Sequence, residues 1–487
     1  MVQDTKILVS ENPEMDRDVH SSIGLFGNVK SVLAAKDGLE VFSDDQPTQL
    51  VDQLERRLEW KDVSMIQVGE VVGGGVLTMA VAFAQLGWFP SILFLALFCP
   101  LNVYVGILLS KAREIVPAAY SFEDMAKYTI RKQWFTKGIE WVTFSYMLFA
   151  LSSYLVAMGE CLAMVFFNAS LCSPVWSIIV VCIMLLPIQI RSLHGTKYLV
   201  WLNFVFILVA VFVTLIYMMM NMKAHHAADP TTSNTQVISK DLTWVELFNG
   251  ISKILFSYLG CYVYLEMMAE MKKPKDFPKT FSISAPFQFC IYFIVGVVGY
   301  LYDGSLASNM ILNAINPHTD GATLRASAIF LFLHLMVSYL IISTLLTRSL
   351  HMKIHPSTVL DQGMKGKVVW ACMSIGLILF SYLIANAIPM FDKIVSLAGA
   401  LQAPIIGFLA PPLFLLFARK TAGIRTPLHE LVGLYFTMAF AVIMVTVGTA
   451  ANVISIVDAM KAQGRTPFEC KPESYISSYN ALYVHTS

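Results

Sequence analysis

Three ionisable side chains interrupt otherwise apolar stretches of this chain, and two of them sit beside glycines. Glu70 precedes Gly73, Gly74 and Gly75 in QVGEVVGGGVLTMAVAFAQLGW, which runs from Gln67 to Trp88. Glu266 follows Gly260 in KILFSYLGCYVYLEMMAEMKKPKDFPKT, from Lys253 to Thr280, and His334 lies in LHLMVSY, from Leu333 to Tyr339. A desolvated carboxyl favours its neutral form, so it can take up and release a proton as its exposure changes. Histidine titrates near neutral pH without any shift. Glycines inside an apolar helix add a second chemistry. They permit an unwound stretch whose N–H and C=O groups, lacking water, must be met by protein, a cavity or a ligand. Each feature also has a plain structural reading. Glycines allow close helix packing, Glu70 can face water at a membrane boundary, Glu266 can cap or pair, and His334 can bond between helices.

The elements that position these groups are membrane spans. Hydrophobic residues make up 56% of the chain and charged residues 14%, against roughly 25% charged in soluble domains, and the mean hydropathy is +0.63. Apolar runs of about 20 residues predict eleven spans, near 64–88, 89–110, 138–167, 174–190, 197–221, 245–270, 280–302, 323–347, 368–388, 392–418 and 429–457. Alternate loops are rich in Lys and Arg, among them Lys111, Arg113, Arg131, Lys132, Arg191, Lys272, Lys367 and Arg419, while the opposite loops hold little beyond Lys223, Lys240 and Lys393. The positive-inside rule makes the first set cytosolic. Residues 1–63 are then a cytosolic tail without the pattern of a cleaved signal peptide, 64–457 a transmembrane domain, and 458–487 an extracellular or lumenal tail. Within the first tail Leu50, Leu54 and Leu58 have helical spacing, suited to an interfacial or a solvated helix. The outer loop from Met222 to Leu242 holds His225 and His226, too few ligands for a metal site. Of eight cysteines, only Cys172 and Cys470 fall on the same oxidising side, where pairing is chemically open to them. The sequon at Asn168 hugs the end of the third span, which leaves little room for glycosylation.

Spans one to five can be matched to spans six to ten, and an odd number of spans per unit inverts the second. Spans one and six then correspond, and both carry a mid-span glycine and a carboxylate, which marks a binding site at paired interrupted helices. From about Trp60 to Ser455 the chain resembles the amino acid/auxin permeases, a branch of the amino acid transporter superfamily. GGGVLTMAVAFAQLGW is similar to that family's first helix, ILFSYLGCYVYLEMMAEMKKP to the sixth helix of auxin influx carriers and plant amino acid permeases, and LHLMVSY to the eighth. IPMFDKIVSLAGALQAPIIGFLAPPLFLL, from Ile388 to Leu416, is similar to the tenth.

The resemblance implies an all-α polytopic fold of about eleven transmembrane helices, the LeuT-like five-plus-five inverted repeat with broken helices 1 and 6. It implies a secondary active transporter importing amino acids by alternating access. The substrate carboxylate would meet backbone N–H groups of Gly73, Gly74, Gly75 and Val76, with a hydroxyl from Thr78; Leu259 and Gly260 would offer carbonyls to its ammonium. Tyr258 belongs to an aromatic set, with Phe256, Tyr262 and Tyr264, that either lines a pocket or packs. Gly74 stands where the family has Ser, and Glu70 where it has an apolar or small residue. Proton coupling through Glu266, His334 and Glu70 is the expectation, with symport driven by H+ and no cofactor or metal. Sodium is the alternative driver: Ser338, Ser343 and Thr344 offer hydroxyls, but Gly69 stands where the sodium-coupled branch has Asn. Cys261 aligns with a histidine of auxin-type carriers, which makes an auxin-like acid the lesser substrate. The partners are an amino acid and the lipid bilayer, with no nucleic acid. The plasma membrane is the expected location, a vacuolar or lysosomal-type membrane the other. An amino-acid-sensing receptor of the same fold is a further reading. Enzyme chemistry finds no nucleophile–base set or phosphate loop to rest on.

Overall fold

The computed structural model describes residues 58–71, 73–191, 196–359, 361, 363–388, 390–462, 466–472 and 474–483. Helices dominate because a spanning segment must satisfy its backbone groups within itself. The first span is in pieces, α1 (Trp60–Val71), α2 (Gly74–Leu77) and α3 (Met79–Leu86). It is followed by α4 (Trp88–Ile115), a short α5 (Phe122–Thr129), α6 (Gln133–Val165), α7 (Ser173–Met184) and α8 (Thr196–Ala228). The second unit again opens with an interrupted span, α9 (Trp244–Tyr258), a 3₁₀ turn (Cys261–Val263) and α10 (Tyr264–Glu270). Then come α11 (Phe281–Asp303), α12 (Gly321–Ile354), α13 (Met364–Ala387), and α14 (Phe391–Leu401) joined to α15 (Ala410–Ala422) through a π turn at Ile405–Leu409. An added span follows, α16 (Leu428–Ile443) and α17 (Thr449–Ala462), with a second π turn at Met444–Gly448, and then α18 (Tyr475–Tyr483).

Among the described residues, eight stretches are long and apolar enough to cross a membrane, with α14–α15 and α16–α17 each counted as one. The other expected spans are the two broken ones and α7, which is 12 residues long and is extended by a turn at Pro187–Gln189. All eleven expected runs are therefore helical, and both repeats begin with an interruption.

Three local expectations need correction. α8 continues to Ala228, past the predicted end at 221, and so carries His225 and His226 on its last turns instead of leaving them in a loop. The extension is held by side chains: His225 Nε2 meets Asp303 Oδ1 at 3.0 Å, and His226 Nε2 meets the Leu301 carbonyl at 3.0 Å. It ends before Asp229–Pro230, where proline disfavours further helix. Leu58 is not helical. It pairs in parallel with Met271, its N–H donating to Glu270 O at 3.1 Å and its carbonyl accepting from Lys272 N at 2.9 Å, while Leu50 and Leu54 lie outside the described residues. Helix α5 was not expected, although Ser121 and Asp124 form a capping box at its start, a readable N-terminal signal.

At the end opposite the basic loops, Cys172 and Cys470 form a disulfide with a Cα–Cα separation of 5.1 Å. Asn168 lies in the exposed turn just before it.

Candidate functional site

Gly73 (φ −86°, ψ −122°) leaves helical geometry and α2 restarts it for a single turn. The leading N–H groups of a helix have no acceptor within it, which places Gly74 and Gly75 amides at such a start. Val76 N–H donates to Gly73 O at 3.3 Å. At the other end of the turn the Gly75 carbonyl accepts both from Thr78 N, at 3.3 Å, and from the Thr78 hydroxyl, at 3.1 Å. The Thr78 side chain is thus committed to its own turn.

The second interruption lies beside the first. Leu259 is extended (φ −77°, ψ 101°) and Gly260 (φ −124°, ψ −3°) precedes the 3₁₀ turn. The Gly260 carbonyl accepts from Val263 N at 3.3 Å, which leaves one of its two lone pairs. A methyl group added at Gly75 would lie 2.6 Å from the Ser257 Cα, so the α2 backbone touches the last turn of α9. Tyr292 on α11 fixes that turn by donating to Ser257 O at 2.6 Å.

Aromatic side chains from two other helices enclose the breaks. A Cβ at Gly74 would meet Tyr154 of α6 at 3.3 Å and Phe391 of α14 at 3.4 Å. The Tyr146 ring, also on α6, lies 5.1 Å from that of Tyr262 and 5.9 Å from that of Phe256. Sequence reasoning named the sixth-span aromatics but missed Tyr146, Tyr154 and Phe391, whose stretches read as ordinary apolar helix. Tyr258 turns away from the breaks and donates to Leu95 O on α4 at 3.2 Å.

Glu266 and His334, two of the expected proton carriers, have separate neighbours among the described residues. Glu266 lies on the first turn of α10, partly exposed. Its charged neighbours are Arg113 at the end of α4, Asp124 on α5 and Glu270. Burial first, and the Glu266 carboxylate second, push the hydroxyl of Tyr120 in the α4–α5 loop above its ordinary range. His334 is fully buried on α12, with Nδ1 meeting the Asn203 carbonyl of α8 at 3.1 Å and Nε2 unpartnered. Asn203 also donates to Ser338 at 3.1 Å. Glu70 belongs to α1, but its side chain lies outside the described residues.

A third ionisable cluster escaped the sequence reading. Lys253 of α9 and Asp392 of α14 are 0% and 1% exposed, with Nζ and Oδ2 3.3 Å apart. The ammonium also donates to Gln85 of α3 and to Asn249, each at 2.8 Å. Helices α3, α9 and α14 are therefore tied through one buried cation a turn and a half before the sixth-span break.

Two interrupted helices in contact each open a five-span unit, and the sequence pattern described as "Transmembrane amino acid transporter protein" matches residues 56–461. The chain belongs to the transmembrane amino acid transporter family. The "N amino acid transport system protein" of Neurospora crassa is 23% identical over 430 residues, covering 85% of this chain and 89% of that protein. The "Sodium-coupled neutral amino acid transporter 7" of Xenopus laevis is 26% identical over 234 residues, covering 45% of this chain and 49% of that one. Among solved structures, that of MhsT in complex with L-phenylalanine superposes with a TM-score of 0.54 at 14% identity, covering 83% of this chain and 99% of that one. The likeness establishes the LeuT-like fold for this multi-pass membrane protein.

Proposed function

We propose that the chain is a secondary active transporter that carries amino acids across a membrane by alternating access, in symport with protons. The observation that carries this reading is the contact between the two broken helices at Gly75 and Ser257. It sets leading amides of α2 beside the stretch that unwinds at Leu259 and Gly260. An anion is favoured at unpaired N–H groups and an ammonium at free carbonyl lone pairs, so a zwitterion spans the two. In this reading Gly73, Gly74 and Gly75 take the carboxylate, Val76 N–H being held by Gly73 O, and Leu259 with Gly260 the ammonium. Thr78 shapes the turn, and Tyr146, Tyr154, Phe391 and Tyr262 bound the side chain. Tyr258 acts as a strut against α4.

Protons are favoured over sodium because the carboxyls Glu70 and Glu266 belong to the two interrupted spans while Gly69 supplies no side-chain oxygen. Glu266 is the carrier of choice, on the short inner half of the sixth span; His334, bonded to α8, is the second. The basic loops make the α10 end cytosolic.

The test is uptake of a panel of labelled amino acids by cells expressing the chain, at acid and neutral pH, with and without sodium. Stimulation of one substrate group by acid alone supports the reading. Uptake that requires sodium and ignores a collapsed proton gradient replaces the proton with sodium, and saturable binding without flux makes the chain a receptor.

A further inference from the structure

At the basic end of the bundle, residues 189–191, which follow α7, and the first turns of α13 border a groove of about 730 Å³ that opens outward. Its back is sealed by hydrogen bonds: Trp370 Nε1 donates to Ile188 O at 3.2 Å, and Gln189 donates to Ser374 at 3.4 Å. Arg191 forms the upper wall with its guanidinium 5.8 Å from the centre of the Trp370 ring. It donates to Asp361 O at 2.8 Å and Val359 O at 3.1 Å, which occupies two of its five N–H donors. Lys367 lines the same wall and is exposed. Asp361 is the nearby carboxylate, and its oxygens are taken by the amides of Gly363, at 2.7 Å, and Gly366, at 3.3 Å, where it caps α13.

Below the cations the lining turns apolar, through Ile190, Val368 and Ile375, the last lying two helical turns deeper than Lys367. At 1.5 Å per residue those turns descend about 12 Å, from headgroup depth into the acyl region of a bilayer. The apolar residues that flank the groove face outward, with Leu186 83% exposed and Val368 52% exposed.

We propose that this groove binds one anionic phospholipid, with its phosphate between Arg191 and Lys367 and an acyl chain along Val368 and Ile375. Two cations over an apolar channel at the cytosolic boundary suit an acidic headgroup far better than a zwitterionic one. Bound there, the lipid joins residues 189–191 to the start of α13.

The experiment is native mass spectrometry of the purified full chain incubated with an equimolar mixture of phosphatidylglycerol and phosphatidylcholine. The wild type is expected to retain phosphatidylglycerol, and Lys367→Glu to lower its retention about tenfold, with Lys132→Glu, exposed on a different loop, unchanged. The exposed position of Lys367 keeps the fold intact, which thermal unfolding of each variant verifies. Equal retention of both lipids, wild-type retention by Lys367→Glu, or equally good binding of free glycerol phosphate would each overturn the proposal.

Discussion

Lys253 is the residue whose environment departs most from what its type prefers. A buried ammonium is tolerated only when paired and hydrogen-bonded, and Lys253 has Asp392, Gln85 and Asn249 around it. Lys253→Met should leave the buried Asp392 carboxylate with only the more distant Lys393 ammonium, 3.8 Å away, at a cost of up to about 3–5 kcal/mol. Lys253→Met combined with Asp392→Leu removes both charges and should recover most of that loss. Thermal unfolding in detergent checks this; a double variant whose destabilisation equals the sum of the two singles would show that the pair does not act as a unit. The sequence displayed a lysine inside an apolar run but not its partner, because nothing local links the sixth span to the tenth. His334 was legible as a buried imidazole for the same reason that its partner was not, since Asn203 comes from a separate span. Glu266 was legible as an ionisable residue in a span, yet its neighbours Arg113 and Asp124 reach it only through the turn that seats α5.

At the scale of elements, α9 is gripped from two sides by glycine contacts. A Cβ at Gly75 would collide with the Ser257 backbone, and one at Gly399 of α14 with the Ser252 carbonyl. Backbone cannot yield as a flexible side chain does, so over-packing costs about 1–3 kcal/mol at either position. Gly75→Ala and Gly399→Ala should each lower the melting temperature and the uptake of labelled amino acid. Gly376→Ala, where nothing lies within 4 Å of the added methyl, should leave both unchanged or gain slightly from helix propensity. Wild-type uptake by Gly399→Ala would mean that α14 and α9 separate more readily than their packing implies. The interruptions were legible because three successive glycines and a lone Gly260 break apolar runs that otherwise satisfy every backbone group. The one-turn helix α2 was not legible, since its hydrogen bonds depend on Thr78 folding back onto Gly75 O. Helix α5 had a readable cap, but its eight residues are too few to stand out between longer apolar segments.

Across the whole molecule, the chain after α17 returns over the end opposite the basic loops and is fastened to several spans. Phe468 N–H donates to Asn386 O at 3.1 Å, at the end of α13, and Ile476 N–H to Phe167 O at 3.4 Å, beyond α6. Tyr475 donates to Asn313 at 3.2 Å and His318 meets Asn480 at 3.0 Å, both before α12. The Cys172–Cys470 disulfide adds a covalent anchor at the start of α7. Single hydrogen bonds of this kind contribute only about 0.5–1.5 kcal/mol each, and terminal segments open readily unless tied down. The disulfide is therefore what makes the four weaker anchors act together. Replacing both cysteines by serine should speed amide hydrogen exchange at least about tenfold in residues 466–483, equivalent to ~1.4 kcal/mol of local stability. The same should hold for the turn at 166–172. Exchange at Gly73–Val76 and Leu259–Val263 should stay as in the wild type, because those breaks are held by α9, α11 and α14 and not by the strap. A tail that remains protected without the disulfide would show that the hydrogen bonds suffice. Faster exchange at the two breaks would instead make the strap part of the machinery that holds the interrupted helices together.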